Sequence, residues 1–223
     1  MTITHPVSLA ATLDAANEAF FYEIPVSTRI RDEIIALLTH RQVQTGVNAG
    51  FFLPFTAETG IKPRLFSGEE LHTSFAATHI LLIEATRMIK LLAPDDFALP
   101  RALQNADRRM EKMCYSKFCP KGECKTLSIA YLRYLATGKS SDITNRINTL
   151  LTNLPEFRDG KGKWSGFPFF YTLLTLIELD EPQASQELQY SLPVCKKYQA
   201  QSWPVDPFSK RRREIIARAL ARS

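Results

Sequence analysis

Apolar residues recur at helical spacing along most of the chain, and the alternating pattern typical of strands is nearly absent. Proline, glycine and short polar clusters separate the apolar stretches, as they do between helices. The sequence therefore predicts an all-α fold with eight or nine helices. Their approximate ranges are 7–22, 29–40, 69–92, 100–113, 123–137, 142–154, 166–179, 184–198 and 207–221.

The stretch DGKGKWSGFPFFYTLLTLIELD, residues 159–180, contains the most apolar of these helices. A glycine-rich turn leads through Trp164 into a helix, and no charged residue falls between Trp164 and Ile177. A helix without a polar face must be covered on all sides, so we expect it to lie between other helices.

The predicted helices are spaced regularly. Polar, outer helices begin near 100, 141 and 184, and apolar, inner helices begin near 123, 166 and 207, which gives steps of about 41–43 residues. Periods of this size are typical of helical repeat arrays. We therefore predict about four α/α hairpins in a single domain over 1–223. An irregular insertion rich in Phe, Gly and Pro interrupts the first pair at 41–68.

The connectors between paired helices share a partial motif of glutamine, glycine and tryptophan. It occurs as Gln42-x3-Gly46, as Gly162-Lys163-Trp164, and as Gln199 followed by Trp203. Over residues 29–221 the chain resembles the degenerate repeats of the terpenoid cyclase and protein prenyltransferase superfamily. That resemblance implies a partial α/α toroid or curved array.

The catalytic motifs of that superfamily are incomplete in this sequence. Class II cyclases use an Asp-x-Asp-Asp run, whereas Asp95 and Asp96 follow Ala93-Pro94. Protein prenyltransferases bind zinc through an aspartate, a nearby cysteine and a distant histidine, and Glu123-Cys124 matches this only loosely. The resemblance therefore implies a fold rather than a reaction.

Aromatic residues cluster in the connectors and at the starts of the inner helices. If the pairs stack in register, these residues line a mouth suited to an apolar, isoprenoid-like ligand or a peptide. The alternative is that they plug the ends of the helix pairs. The candidate ligand-binding residues are Phe51, Phe52, Phe55, Phe66, Trp164, Phe167, Phe170, Tyr171 and Trp203. We expect the 41–68 insertion to wall this mouth, with some of its four phenylalanines touching the second or third helix pair.

Several titratable residues are candidates for chemistry. His72 and His79 stand seven apart, two turns along one predicted helix, where Glu69 or Glu84 could complete an acid–base or ligand set. The alternative makes His79 a hydrogen-bonded core histidine. No Ser/His/Asp set, phosphate loop or His-Glu-x-x-His motif is present, so enzymatic activity is left open. The catalytic candidates are His72, His79, Glu84, Asp95 and Asp96.

Three cysteines form the pattern Cys114-x4-Cys119-x4-Cys124. Thiolates bind zinc well, but this spacing matches no standard pair of zinc-binding cysteine pairs. We therefore predict thiols without a bound metal, and no cofactor.

The net charge of +5 is partly concentrated near residue 210. Lys210, Arg211, Arg212 and Arg213 could present a basic surface to nucleic acid or to an acidic protein. This is the alternative function, and a solvated helix at the end of a repeat array is the simpler explanation of the same run. The N-terminal residues lack a secretory signal pattern and no apolar run is long enough for a membrane span, so we expect a cytoplasmic protein.

Overall fold

The computed structural model describes residues 3–93, 100–138 and 140–222, with the side chains of 100–102 excepted. Within these ranges the regular structure is helical, apart from isolated bridges joining Gln42 to Phe52 and Arg158 to Trp164. The predicted all-α class is confirmed. The helices are α1 (Leu9–Phe21), α2 (Thr28–Arg41), α3 (Ser74–Leu92), α4 (Pro100–Glu111), α5 (Cys124–Leu135), α6 (Ser141–Leu151), α7 (Phe169–Ile177), α8 (Pro182–Gln199) and α9 (Pro207–Ala221).

The chain divides into two compact units. The first unit contains residues 1–63 and 70–116, and the second contains residues 64–69 and 117–223. The predicted insertion at 41–68 therefore contributes to both units. The prediction of a single repeat domain stays a prediction.

Helix α3 is the centre of the first unit. It packs against α1, α2 and α4, and 13 of its 19 residues are buried. The helix begins at Ser74 rather than near 69, because the Thr73 side chain accepts a hydrogen bond from the Ala76 amide and caps it there. His72 therefore precedes the helix. The prediction that His72 and His79 lie two turns apart on one helix is wrong.

Helix α7 is the centre of the second unit. It packs against α5, α8 and α9, and seven of its nine residues are buried. In this position α7 is covered by other helices, as a helix without a polar face requires.

The polar helices α4, α6 and α8 begin at Pro100, Ser141 and Pro182, 41 residues apart in each step. Stacking of the pairs into a toroid stays a prediction. A proline inside a helix is expected to kink it or end it early, but α8 continues past Pro193 to Gln199 and packs along α9. Pro193 is on its exposed side.

Across the described ranges, no helix is both long enough and apolar enough to span a membrane.

Candidate ligand-binding pocket

The first unit holds a pocket whose construction begins at the N-terminus of α1. The first amides of a helix have no partners within it and attract negative charge. Ser8 caps α1 through its own side chain, which accepts from the Ala11 amide. The Glu58 carboxylate, from the irregular segment, accepts from the Leu9 and Ala10 amides at 2.8 and 2.9 Å. This carboxylate therefore fastens the segment to the helix.

Glu58 accepts two further hydrogen bonds, one from the Ser8 hydroxyl at 2.7 Å and one from the Phe55 amide at 2.8 Å. Partial burial by itself raises the pKa of this carboxyl, but the four hydrogen bonds outweigh burial and hold the pKa below its ordinary value. Glu58 is therefore ionised in the folded protein at neutral pH.

Two cations hold the ends of the same segment. Arg41 Nε donates to the Leu53 carbonyl at 2.8 Å, and its guanidinium lies 4.5 Å from the centre of the Phe55 ring. Lys62 Nζ donates to the carbonyl of His72, just before α3. Residues 52–63 are thus fixed at both ends and at Glu58.

A pocket of about 490 Å³, partly open to solvent, lies against this segment. Its walls are the start of α1, residues 52–63, and the first two turns of α3. The lining is mainly apolar, with small side chains such as Ala10, Ala57 and Ala77 leaving the space open. Such a volume and lining are typical of small-molecule sites.

Phe52 is the predicted ligand-binding aromatic that lines this cavity, and it is buried. Phe51, the next residue back, packs edge-on against His79 with ring centres 5.1 Å apart. The Arg109 guanidinium of α4 lies 4.7 Å from the centre of the Phe51 ring. A phenylalanine of the insertion thus contacts the helix predicted to open the second pair, while the aromatic-lined mouth stays a prediction.

His79 is a core residue with 4% of its surface exposed. Its Nδ1 lies 3.0 Å from the Tyr115 hydroxyl, and its ring centre is 4.2 Å from that of Phe75. Burial, and secondarily the positive charge of Arg109, lower the pKa of His79 to about 4. The imidazole is therefore neutral at physiological pH.

Glu84 belongs to a separate buried network. Its Oε2 accepts from Asn17 Nδ2 at 3.1 Å, while Arg87 donates to Asn17 Oδ1 at 2.9 Å and lies 4.0 Å from Glu84. These contacts tie α1 to α3. Among the other catalytic candidates, His72 is exposed at the edge of α3, and Asp95 and Asp96 lie outside the described residues.

The remaining predicted ligand-binding aromatics lie in the second unit: Phe66, Trp164, Phe167, Phe170, Tyr171 and Trp203. They pack against neighbouring side chains there. Trp164 is 2% exposed, and its Nε1 donates to Glu187 Oε2 at 2.7 Å. Glu187 is also paired with Arg158 at 2.7 Å.

Two of the four residues of the basic run on α9 make contacts inside the second unit. Arg211 is buried, donates to the Phe66 carbonyl at 3.1 Å and stacks over the Phe66 ring at 4.3 Å. Arg212 donates to the Ser67 carbonyl at 2.7 Å. Lys210 and Arg213 are exposed.

The predicted thiols also divide between the units. Cys114 is exposed and belongs to the first unit, whereas Cys119 and Cys124 belong to the second and are half-buried. The sulfur atoms of Cys119 and Cys124 lie within 4.8 Å of each other.

The sequence analysis missed Glu58, Lys62 and Ser8, which build and line the pocket. Glu58 stands about 50 residues from the amides that it caps, so no short-range pattern could have connected them. Its one signal was its place as an isolated carboxylate within an insertion that has to bend back on the protein.

The chain matches no family model, no curated protein and no solved structure. The function therefore has to be argued from the pocket itself.

Proposed function

We propose that the protein binds a small, mainly apolar molecule in the pocket of the first unit. The carrying observation is a cavity of about 490 Å³ whose wall is held in place by Glu58 at the start of α1. A fixed wall favours binding because little conformational freedom is lost when the ligand enters.

The way in which residues 52–63 are held supports a functional role for the cavity. Segment 52–63 carries exposed apolar side chains, including Leu53 and Ile61, and would gain contacts by collapsing onto α3. Instead, bonds from Arg41, Glu58 and Lys62 keep it over an open space.

The alternative function, a basic surface for nucleic acid or an acidic partner, draws less support. It needs several cations that face solvent together. In the run on α9, Arg211 and Arg212 donate to backbone carbonyls of residues 66 and 67, which leaves Lys210 and Arg213 as its exposed members.

The proposal can be tested with N-phenyl-1-naphthylamine, a neutral apolar dye that fluoresces when it leaves water. We expect saturable binding of one dye per chain. Ala77, on the pocket side of α3, offers a blocking substitution, since Ala77→Phe places a ring in the cavity. This variant should lose dye binding at least tenfold.

Ala36→Phe is the matched control, because Ala36 is an exposed alanine of α2 in the same unit and does not line the pocket. It should bind dye as the wild type does. Unchanged binding by Ala77→Phe, in a protein that unfolds at the wild-type midpoint, would show that the dye sits elsewhere and would overturn the proposal.

A further inference from the structure

The polar groups of the pocket differ in the hydrogen bonds that they can make to a ligand. Glu58 is the carboxylate of the lining, and its two oxygens already accept four hydrogen bonds. A carboxylate has about four lone-pair positions, so these donors use its accepting capacity. Its negative charge is also offset by the N-terminus of α1. Glu58 is thus a structural group, unsuited to a cationic ligand.

The other polar side chains of the lining can all donate hydrogen bonds. Lys62 contributes the ammonium of the lining, His5 contributes an imidazole, and Thr59, Ser74 and Thr78 contribute hydroxyls. An ammonium has three donors. Lys62 Nζ gives one to the His72 carbonyl, which holds the amine at the pocket and leaves two for a ligand.

The rest of the wall is mainly apolar. Val7, Phe52, Pro54 and Leu81 present hydrocarbon or ring surface to the same cavity. A ligand that satisfies both parts carries an acceptor-only, negative head and an apolar body. Lys62 is exposed, so a negative head can bind its ammonium at the solvent side of the lining while the apolar body enters the pocket.

We propose that the ligand is an amphiphilic monocarboxylic acid, with its carboxylate at Lys62 and its hydrocarbon body along Phe52 and Leu81. This inference rests on the proposed function and specifies its ligand class. The carboxylate accepts from the ammonium of Lys62 in a charge-assisted hydrogen bond, which is stronger than a bond between neutral groups.

Three probes with the same alkyl chain test the inference by isothermal titration calorimetry: decanoic acid, decan-1-ol and decyltrimethylammonium, each below its aggregation concentration. We expect decanoate to bind about tenfold more tightly than decanol, as a hydrogen bond to a charged group allows. Decyltrimethylammonium should bind most weakly.

Lys62→Met keeps an unbranched apolar stem and removes the ammonium. It should bring decanoate affinity down to that of decanol, and any loss that decanol shares measures the separate loss of the bond from Lys62 to the His72 carbonyl. The control is Lys112→Met, which removes an exposed lysine of the same unit that is absent from the lining. It should preserve the tenfold preference.

The outcomes separate the two proposals. If decanol binds as tightly as decanoate, or if Lys62→Met weakens both equally, the inference about the head group fails while apolar binding stands. If none of the three probes binds and the neutral dye does not bind either, the proposed function fails as well.

Discussion

The two stretches of the irregular segment, 42–63 in the first unit and 64–69 in the second, use the same anchoring device with different results. In each, a glutamate from the segment caps the start of a helix: Glu58 accepts from two amides of α1, and Glu69 accepts from the Phe170 and Tyr171 amides of α7 at 3.1 and 3.2 Å. The anchor is therefore alike in the two stretches.

The difference lies in the side chains behind each anchor. In the first unit, alanines and glycine line the space under the segment, and a cavity is left. In the second unit, Phe66 lies under the Arg211 guanidinium, and a Cβ added at Gly68 would come within 2.6 Å of the Phe208 ring. Large side chains thus pack against Phe66 and Gly68, whereas small ones line the pocket beside residues 52–63.

The two units also differ in charge. The second unit carries 18 Lys and Arg against 11 Asp and Glu, a net charge of +7, whereas the first carries 10 against 12, a net charge of −2. The net positive charge of the chain therefore belongs to the second unit, whereas the unit that holds the pocket is slightly acidic.

The largest expected effect concerns the packing around Trp164 in the second unit. Trp164→Ala should lower the free energy of unfolding by about 3–5 kcal/mol, because it removes a buried ring and a hydrogen bond to Glu187. Urea denaturation measures this change. Trp203→Ala, at a half-exposed tryptophan of the same unit, should cost clearly less. A loss below about 1 kcal/mol at Trp164 would remove it from the core.

The next effect concerns His79, which makes the first unit sensitive to acid. The pKa is about 4 in the folded protein, against an ordinary value of 6.5, so the unfolded chain binds the proton more readily between these values. The stability contributed by neutral His79 is complete above pH 6.5 and is lost as pH falls towards 4, on the order of 2 kcal/mol.

Stability curves between pH 4 and 7 should therefore slope downward towards acid, and His79→Phe should flatten them. The His79 ring signals in NMR give an independent check, since they should titrate near pH 4. Titration near pH 6.5 would contradict the buried, neutral imidazole.

A smaller effect compares the two anchors directly. Glu58→Gln should cost about 1–2 kcal/mol, the usual range for a lost helix cap, and should also weaken dye binding because the pocket wall is released. Since the pKa of Glu58 is lowered on folding, its contribution is present above its unfolded pKa and is lost as pH falls through the folded pKa, below about pH 4.5. In acid, the wild type should lose the contribution of the Glu58 carboxylate to its free energy of unfolding, whereas the variant has no such contribution to lose.

The smallest expected effect is the counterpart in the second unit. Glu69→Gln should cost about 1 kcal/mol, since the amide can still accept a hydrogen bond from α7 but lacks the charge that favours a helix N-terminus. Dye binding should stay at the wild-type level. Equal loss of dye binding in both glutamine variants would show that the pocket depends on general stability rather than on the Glu58 anchor.

The sequence by itself determined the helices and their class. Helical spacing of apolar residues, proline at helix starts and serine caps located α2, α4 and α9 within about two residues, because these signals act over one or two turns. The absence of charge in α7 likewise sufficed to place it inside, since burial of a helix depends on its own faces.

The tertiary structure alone decided which polar residues matter. It brought Glu58 to amides about 50 residues away and Arg211 to a carbonyl 145 residues away. A carboxylate without a predicted role thus anchors a helix, and one member of the predicted basic patch is a buried support. The same folding left small side chains under residues 52–63 and large ones under residues 64–69. Hydrogen bonds and cavities form between segments that are remote in sequence. Local sequence patterns do not predict which of these segments come into contact.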